Sequence, residues 1–414
     1  MNRQNFLRIT TITLLLVLVL ALALPVAAQE QTITFLTPPW GVPPSEEALQ
    51  AFENEAGFQV EIQSVQSADL FSRVQVASAS GQPAADVIFL TEEAPSNIVA
   101  TGVMMPLNDL SAATPELDLS DFNKVDFWTV DDQLYGIPVY VQLVMLDYNQ
   151  ERLAQAGFDT PPTTWAELRD EAQAIQDQGI DEYPIAFPAT DWSWYLMSLS
   201  MGDPMFDEDL NPVFADEGSK ARDAMTMLLG FFADGLVSPE IIASGTTPHE
   251  VFWAGTGTFH QAFQGSVAVG NNPDASQQAP NVAYMLMPEA GYTWSFPAAL
   301  GIAQGSQNVD EAWQFIQWYV RPENQEAIFD TYGLFPSRTS VTQTLTDAGK
   351  IEGSDVIAAQ SELVHELPRY ALWWGPFADA TTEAIREAIQ NGTAGDAVID
   401  ALAEEWNSLR AEYE

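Results

Sequence analysis

The chain has 414 residues, with 14 Lys or Arg against 58 Asp or Glu, a formal charge of −44 at pH 7 and no cysteine. Phosphate binding needs clustered cations, so nucleic acid is excluded as a partner; the missing thiols exclude disulfides, thiolate metal sites and thiol nucleophiles. At 47% hydrophobic and 17% charged residues the composition is globular, and the length suits two domains with cores of their own.

The first residues have the layout of a secretory signal: Arg3 and Arg8, an apolar run over 9–24, then Pro25-Val26-Ala27-Ala28. That run is shorter than the roughly 20 residues a bilayer needs. Val26 and Ala28 suit a small-residue cleavage site, so a signal peptide over 1–28 is expected, cut after Ala28. Loss of Arg3 and Arg8 would take the charge from −44 to −46. With no cysteine there is no lipid anchor, and the mature protein is expected to be secreted or periplasmic.

Residues 31–36 alternate as a strand through Ile33 and Phe35, and a turn with Trp40 follows. Ser45 can cap a helix that has Glu46 and Glu47 in its first turn and Ala48, Leu49 and Phe52 on one face. A strand over 60–63, a helix from Leu70 to a Gly81 cap and a buried strand over 86–90 continue the alternation, which predicts a parallel sheet covered by helices. Thr164 with Glu167 has capping-box spacing and opens a helix through Leu168, Ala172 and Ile175. Ala224, Leu228, Leu229 and Phe232 form another helix face. Asn308 with Glu311 is expected to cap the helix of Trp313 and Ile316, and Val398, Leu402 and Leu409 mark a last amphipathic helix.

Catalytic patterns are missing. His249, His260 and His365 lack zinc-protease spacing, and there is neither a nucleophile elbow nor a phosphate loop. Gly255-Thr256-Gly257 reads as a turn. Asp207, Asp209 and Asn211 imitate the start of a calcium loop, but Pro212 and Gly218 stand where its glycine and final glutamate belong, so this is a surface turn. No metal and no cofactor is expected.

Aromatic residues are abundant: 12 Trp, 11 Tyr and 22 Phe. Trp165, Trp313, Trp318 and Trp406 fall in or beside helix patterns and read as core. Trp40, Trp192, Trp194, Trp294, Trp373 and Trp374 fall in expected loops, where open α/β sheets bind ligands. Indole faces suit sugars, which offer an apolar C–H face for stacking and a rim of hydroxyls for carboxylates and amides.

Taken in order, several blocks resemble an extracellular solute-binding protein of an ABC transporter, in the sugar-binding, maltose-binding-protein-like group. They are Glu47-Ala48-Leu49-Gln50-Ala51-Phe52, Ala85-Asp86-Val87-Ile88-Phe89, Leu134-Tyr135-Gly136-Ile137-Pro138 with Tyr148-Asn149, Gly235-Leu236-Val237-Ser238-Pro239, and Ala312-Trp313-Gln314-Phe315-Ile316. The resemblance implies an α/β, two-lobed periplasmic-binding-protein-like fold of type II with a ligand cleft between the lobes. Lobe one is expected at 29–140 plus 272–332 and lobe two at 141–271 plus 333–414, with Gly333-Leu334-Phe335-Pro336-Ser337-Arg338 as the final return. It implies capture of a small solute, a mono- or oligosaccharide, by hinge closure and delivery to an ABC permease, by a monomer without catalysis.

Matched position by position, the resemblance assigns ligand contacts to Trp40, to Glu92 and Glu93, to Tyr140 and Gln142 at the crossover, and to Asp191, Trp192 and Trp194. Asn271 and Asn272 stand where an aromatic is common in the group, Trp294 is a possible replacement platform, and Trp373 or Trp374 matches a late stacking tryptophan, with Trp374 favoured. A cationic solute such as a polyamine is the alternative ligand, held by the same aromatics with Glu92, Glu93 and Asp191. A glycosidase with paired carboxylates is the enzyme alternative.

Overall fold

A computed structural model describes residues 31–91, 101–243 and 246–413. The signal segment 1–28 and the pair Glu92 and Glu93 lie outside the described residues. No described helix is long and apolar enough to cross a membrane.

Ten strands are described: β1 (Gln31–Thr37), β2 (Phe58–Ser64), β3 (Val87–Leu90), β4 (Thr129–Val130), β5 (Gln133–Leu134), β6 (Ile137–Asn149), β7 (Ile185–Ala186), β8 (Phe259–Phe263), β9 (Val282–Met285) and β10 (Ser295–Ile302). The main sheet runs β2-β1-β3-β10-β6-β8-β7, with β9 also on β6. β1 pairs in parallel with β2 and β3, as the alternating pattern requires. Helices form where the caps direct: the Ser45 hydroxyl accepts from the Ala48 N–H at 3.1 Å, and Thr164 and Glu167 complete a capping box. Asn308 departs from expectation. It stands at the helix start but makes no side-chain cap, because its amide is taken by Asp86 at 3.2 Å and by Gln31 at 3.3 Å.

The thirteen-residue β6 joins two halves. Its residues Ile137 to Leu143 pair with β10, and Val144 to Asn149 pair with β8 and β9. One large core gathers β1, β2, β3, the first part of β6 and the helices Val309–Tyr319 and Pro322–Tyr332 around Phe35, Phe89 and Phe315. The other gathers the helices Trp165–Asp177, Asp191–Ser200, Lys220–Ala233, Trp374–Asn391 and Gly395–Tyr413 around Trp165, Trp194 and Trp406. Two large cores bridged by continuous strands make the two lobes, and a smaller third cluster around Met145, Phe252 and Val341 also takes in Phe329 and Phe335. The expected return to lobe one at 272 is corrected by the strand pairing: β9 binds Leu146 to Asn149, so 272–294 stays with the second lobe until β10 crosses back. The chain passes the seam at 143–144, at 294–296 and at 333–338, where Pro336 bridges Tyr140.

Candidate functional site

Both halves aim the carboxyl ends of their parallel strands at the seam. In the first lobe Leu90, at the end of β3, pairs with Ala299 while Val87 pairs with Ile302, so β3 runs toward the start of β10. In the second, Phe263 at the end of β8 pairs with Val144, and β7 runs parallel to β8. Ligands of open α/β sheets bind outside such ends.

After β1 the chain turns through Pro39–Gly41, which carries the half-buried Trp40. Two tyrosines fix that turn: Tyr319 donates to the Gly41 carbonyl at 2.9 Å and Tyr332 to the Val42 carbonyl at 3.1 Å. After β7 the chain enters the helix Asp191–Ser200, whose first turn presents Trp192. The Trp192 ring lies edge-to-face on Phe296 at 5.3 Å and on Trp294 at 5.5 Å. Phe296 touches both cores and stands opposite Gln142 in the β10–β6 register.

Gln142 is buried; its Nε2 donates to the Gly333 carbonyl at 3.1 Å, which leaves Oε1 as a buried acceptor with no donor. Gly333 in turn lies backbone to backbone against Gly265: a Cβ on Gly265 would fall 1.6 Å from the Gly333 oxygen. The half-buried Gln264 accepts from the Leu143 N–H at 3.2 Å. Trp192, Phe296, Gln142, Gly333 and Tyr332 thus form one run of contacts across the seam to the Trp40 turn.

Other expected site residues have structural roles. Tyr140 is buried beside Phe89 at 6.1 Å within the crossover. Asp191 is buried and accepts from the Thr382 hydroxyl at 2.9 Å, tying two helices together. Trp194 does not reach the seam; it is fully buried, with Nε1 on the Ala221 carbonyl at 2.9 Å. Trp294 is core beneath Trp192.

Trp373 and Trp374 are corrected together. Both begin a helix and enter the second-lobe core, Trp374 against Tyr195 at 5.2 Å and Trp373 against Trp406 at 5.5 Å, so neither offers a face to a ligand here. Asn271 binds both the N–H and the carbonyl of Val282, and Asn272 is an exposed turn residue that accepts from the Asp274 N–H. Phe296, Tyr332 and Gln264 were missed, although the Trp294, Phe296 alternation is the signature of a strand with one aromatic face.

A second polar cluster lies away from the seam, with Asp147, His260 and Ser266 fully buried and His249 partly so. Asp147 on β6 accepts from Ser266 and from His260 Nδ1 at 2.9 Å, and the His260 Nε2 shares a hydrogen bond with His249 Nδ1 at 2.7 Å. Burial, together with the neighbouring His260, pushes the His249 imidazole down to about 3, which keeps it neutral.

Residues 47–355 match the family described as bacterial extracellular solute-binding protein. A binding protein of Brucella abortus (strain 2308) is 22% identical over 219 residues, 50% of this chain; the match spans about half (51%) of that relative's length. The maltotriose-binding protein of Pyrococcus abyssi (strain GE5 / Orsay) is 21% identical over 339 residues, 79% of this chain and 71% of that one. Among solved structures, maltose-bound MalE3 of T. maritima superposes with a TM-score of 0.80 at 18% identity, covering 91% of this chain and 99% of that chain. That likeness establishes the fold.

Proposed function

The chain belongs to the bacterial extracellular solute-binding protein family, and from that premise we propose that it captures a carbohydrate between its lobes and delivers it to an ABC-type permease. The observation that carries this reading is the Trp192–Phe296 pair at the seam, beside the acceptor oxygen of Gln142. A half-buried indole and a half-buried phenyl ring give a sugar an apolar platform. The maltotriose and maltose named for the Pyrococcus and Thermotoga-type relatives support the same ligand class. Export with cleavage after Ala28, and action as a monomer, belong to the same proposal.

This family binds solutes and does not catalyse, which removes the glycosidase reading. The polyamine reading loses one of its carboxylates, since Asp191 is buried and accepts from the Thr382 hydroxyl at 2.9 Å. Thermal-shift screening of the mature protein against maltose, maltotriose, polyols and polyamines tests the proposal. A saturable rise in melting temperature with a sugar is expected; a rise with polyamines alone would replace the sugar by a cation.

A further inference from the structure

The segment that follows β8 is held from several sides. Tyr284 accepts from the Val267 N–H at 3.2 Å and donates to the Gln264 carbonyl, Ser266 donates to the buried Asp147, and Gly265 rests on the backbone of Gly333. The backbone that carries Gln264 to the seam is thereby fixed.

The Gln264 side chain is fixed as well. Its Oε1 accepts from the Leu143 N–H at 3.2 Å. A backbone N–H can only donate, so that end of the amide has to be the oxygen. The two protons on Nε2 have no acceptor among the described residues, and the side chain is only half-buried, so they stay open to the seam.

Gln261, three residues earlier on β8, repeats the arrangement deeper in the second lobe, where it is 4% exposed. Ser193 has one proton and two acceptors within reach, the Pro188 carbonyl at 2.8 Å and Gln261 Oε1 at 2.7 Å. Whichever takes the proton, one end of the Gln261 amide faces Ser193 and the other has no protein partner among the described residues. An unpaired amide end so close to burial costs stability, which packing alone does not explain. Both amides are tied to residues beside the Trp192–Phe296 pair: Ser193 directly follows Trp192, and Leu143 directly follows Gln142, the cross-strand partner of Phe296.

We propose that Gln261 and Gln264 are ligand-binding residues that set specificity at the seam, Gln264 through its Nε2 protons and Gln261 through the amide end turned away from Ser193. The inference rests on the seam being the binding site. Because each amide is anchored at one end by the protein, little side-chain freedom is lost when the other end engages a ligand. The Gln264 donor asks for an uncharged, oxygen-rich ligand: hydroxyl and ring oxygens accept its protons, whereas a protonated amine has nothing to accept with. It therefore selects a sugar or polyol over a polyamine.

The test is calorimetry on the mature chain and on Gln264→Glu and Gln261→Met, with maltotriose and putrescine as probes. Each substitution spares the internal partner, since the glutamate keeps an oxygen for the Leu143 N–H and Ser193 keeps the Pro188 carbonyl. Melting curves check the fold, and Gln264→Asn or Gln261→Leu replaces a variant that does not fold. Maltotriose should bind each variant about 3- to 10-fold more weakly, the scale of one neutral hydrogen bond, and Gln264→Glu should not weaken any binding of putrescine. Equal or tighter maltotriose binding in a folded variant, even with a lowered melting temperature, assigns that glutamine to packing and overturns its role while leaving the sugar reading in place. A parent that binds putrescine but no sugar, or neither, overturns the sugar reading and the oxygen-facing donor with it.

Discussion

Phe296 on β10 stands directly opposite Gln142 on β6, at the place where the sheet passes from one lobe to the other. Cross-strand partners share a sheet face, so the hinge itself supplies an aromatic surface and an amide to the same space. In the proposed reading, the binding surface and the moving joint are built from the same two strands.

Trp374, which a loop assignment made a stacking residue, is packed among Tyr195, Phe206, Phe377 and Trp406. Trp374→Ala is expected to cost about 3–5 kcal/mol of unfolding free energy, the range for emptying a core of an indole. Urea denaturation checks it; a loss below about 1 kcal/mol would place the ring outside the core.

Gly265 has no room for a methyl group, since its Cβ would meet the backbone of Gly333 rather than a movable side chain. Gly265→Ala should therefore cost about 1–3 kcal/mol as an overpacked contact and displace the crossover at 333–338. Denaturation midpoints and scattering of the free variant report the two effects, and a variant identical to the parent in both would show that the contact yields freely.

His249 gives an acid-side sensitivity. Its value falls from the ordinary 6.5 to about 3 on folding, so the unfolded chain takes up the proton first as pH drops. The contribution is present above 6.5 and is lost progressively toward 3, up to about 4 kcal/mol in total. His249→Phe should flatten the decline in stability between about pH 6 and 4 relative to the parent. Parallel curves would mean that the imidazole is not held neutral.

Glu171 acts in the other direction. Partial burial and the charge of Glu167 one turn earlier push its carboxyl up to about 7, and its buried Oε2 has no hydrogen-bond partner. A raised acid favours folding below 4.5 and loses that contribution as pH rises through 7. Glu171→Gln should thus stabilise the protein by about 1 kcal/mol at pH 8, after discounting for partial exposure, and leave it unchanged at pH 4. Melting curves at the two pH values decide; a stabilisation equal at both would point to helix propensity instead.

Local signals carried much of the fold. Ser45, Thr164 and Gly81 mark helix ends in the sequence because capping and left-handed backbone depend on neighbours a few residues away. The helix Asp191–Ser200 was hidden, since nearly all of it is buried and it has no polar face to set a period. Trp192, Trp194, Trp373 and Trp374 were accordingly read as loop residues, although each pair stands at a helix start. The division at 272 was misplaced because β9 is held by pairing with residues more than a hundred positions earlier, which no local pattern encodes. Gln142 and Trp40 were assigned to the site by family resemblance, while the placing of Phe296 and Tyr332 at the seam depends on register and helix docking.

The most direct test of the account is calorimetric titration of the parent and of Trp192→Ala with the sugar that best raises the melting temperature. If Trp192 and Phe296 form the ligand platform at the seam, the variant should bind about 30-fold more weakly, corresponding to a hot spot of about 2 kcal/mol, while remaining folded. Parent-like affinity in a folded Trp192→Ala would contradict it and move the binding surface elsewhere.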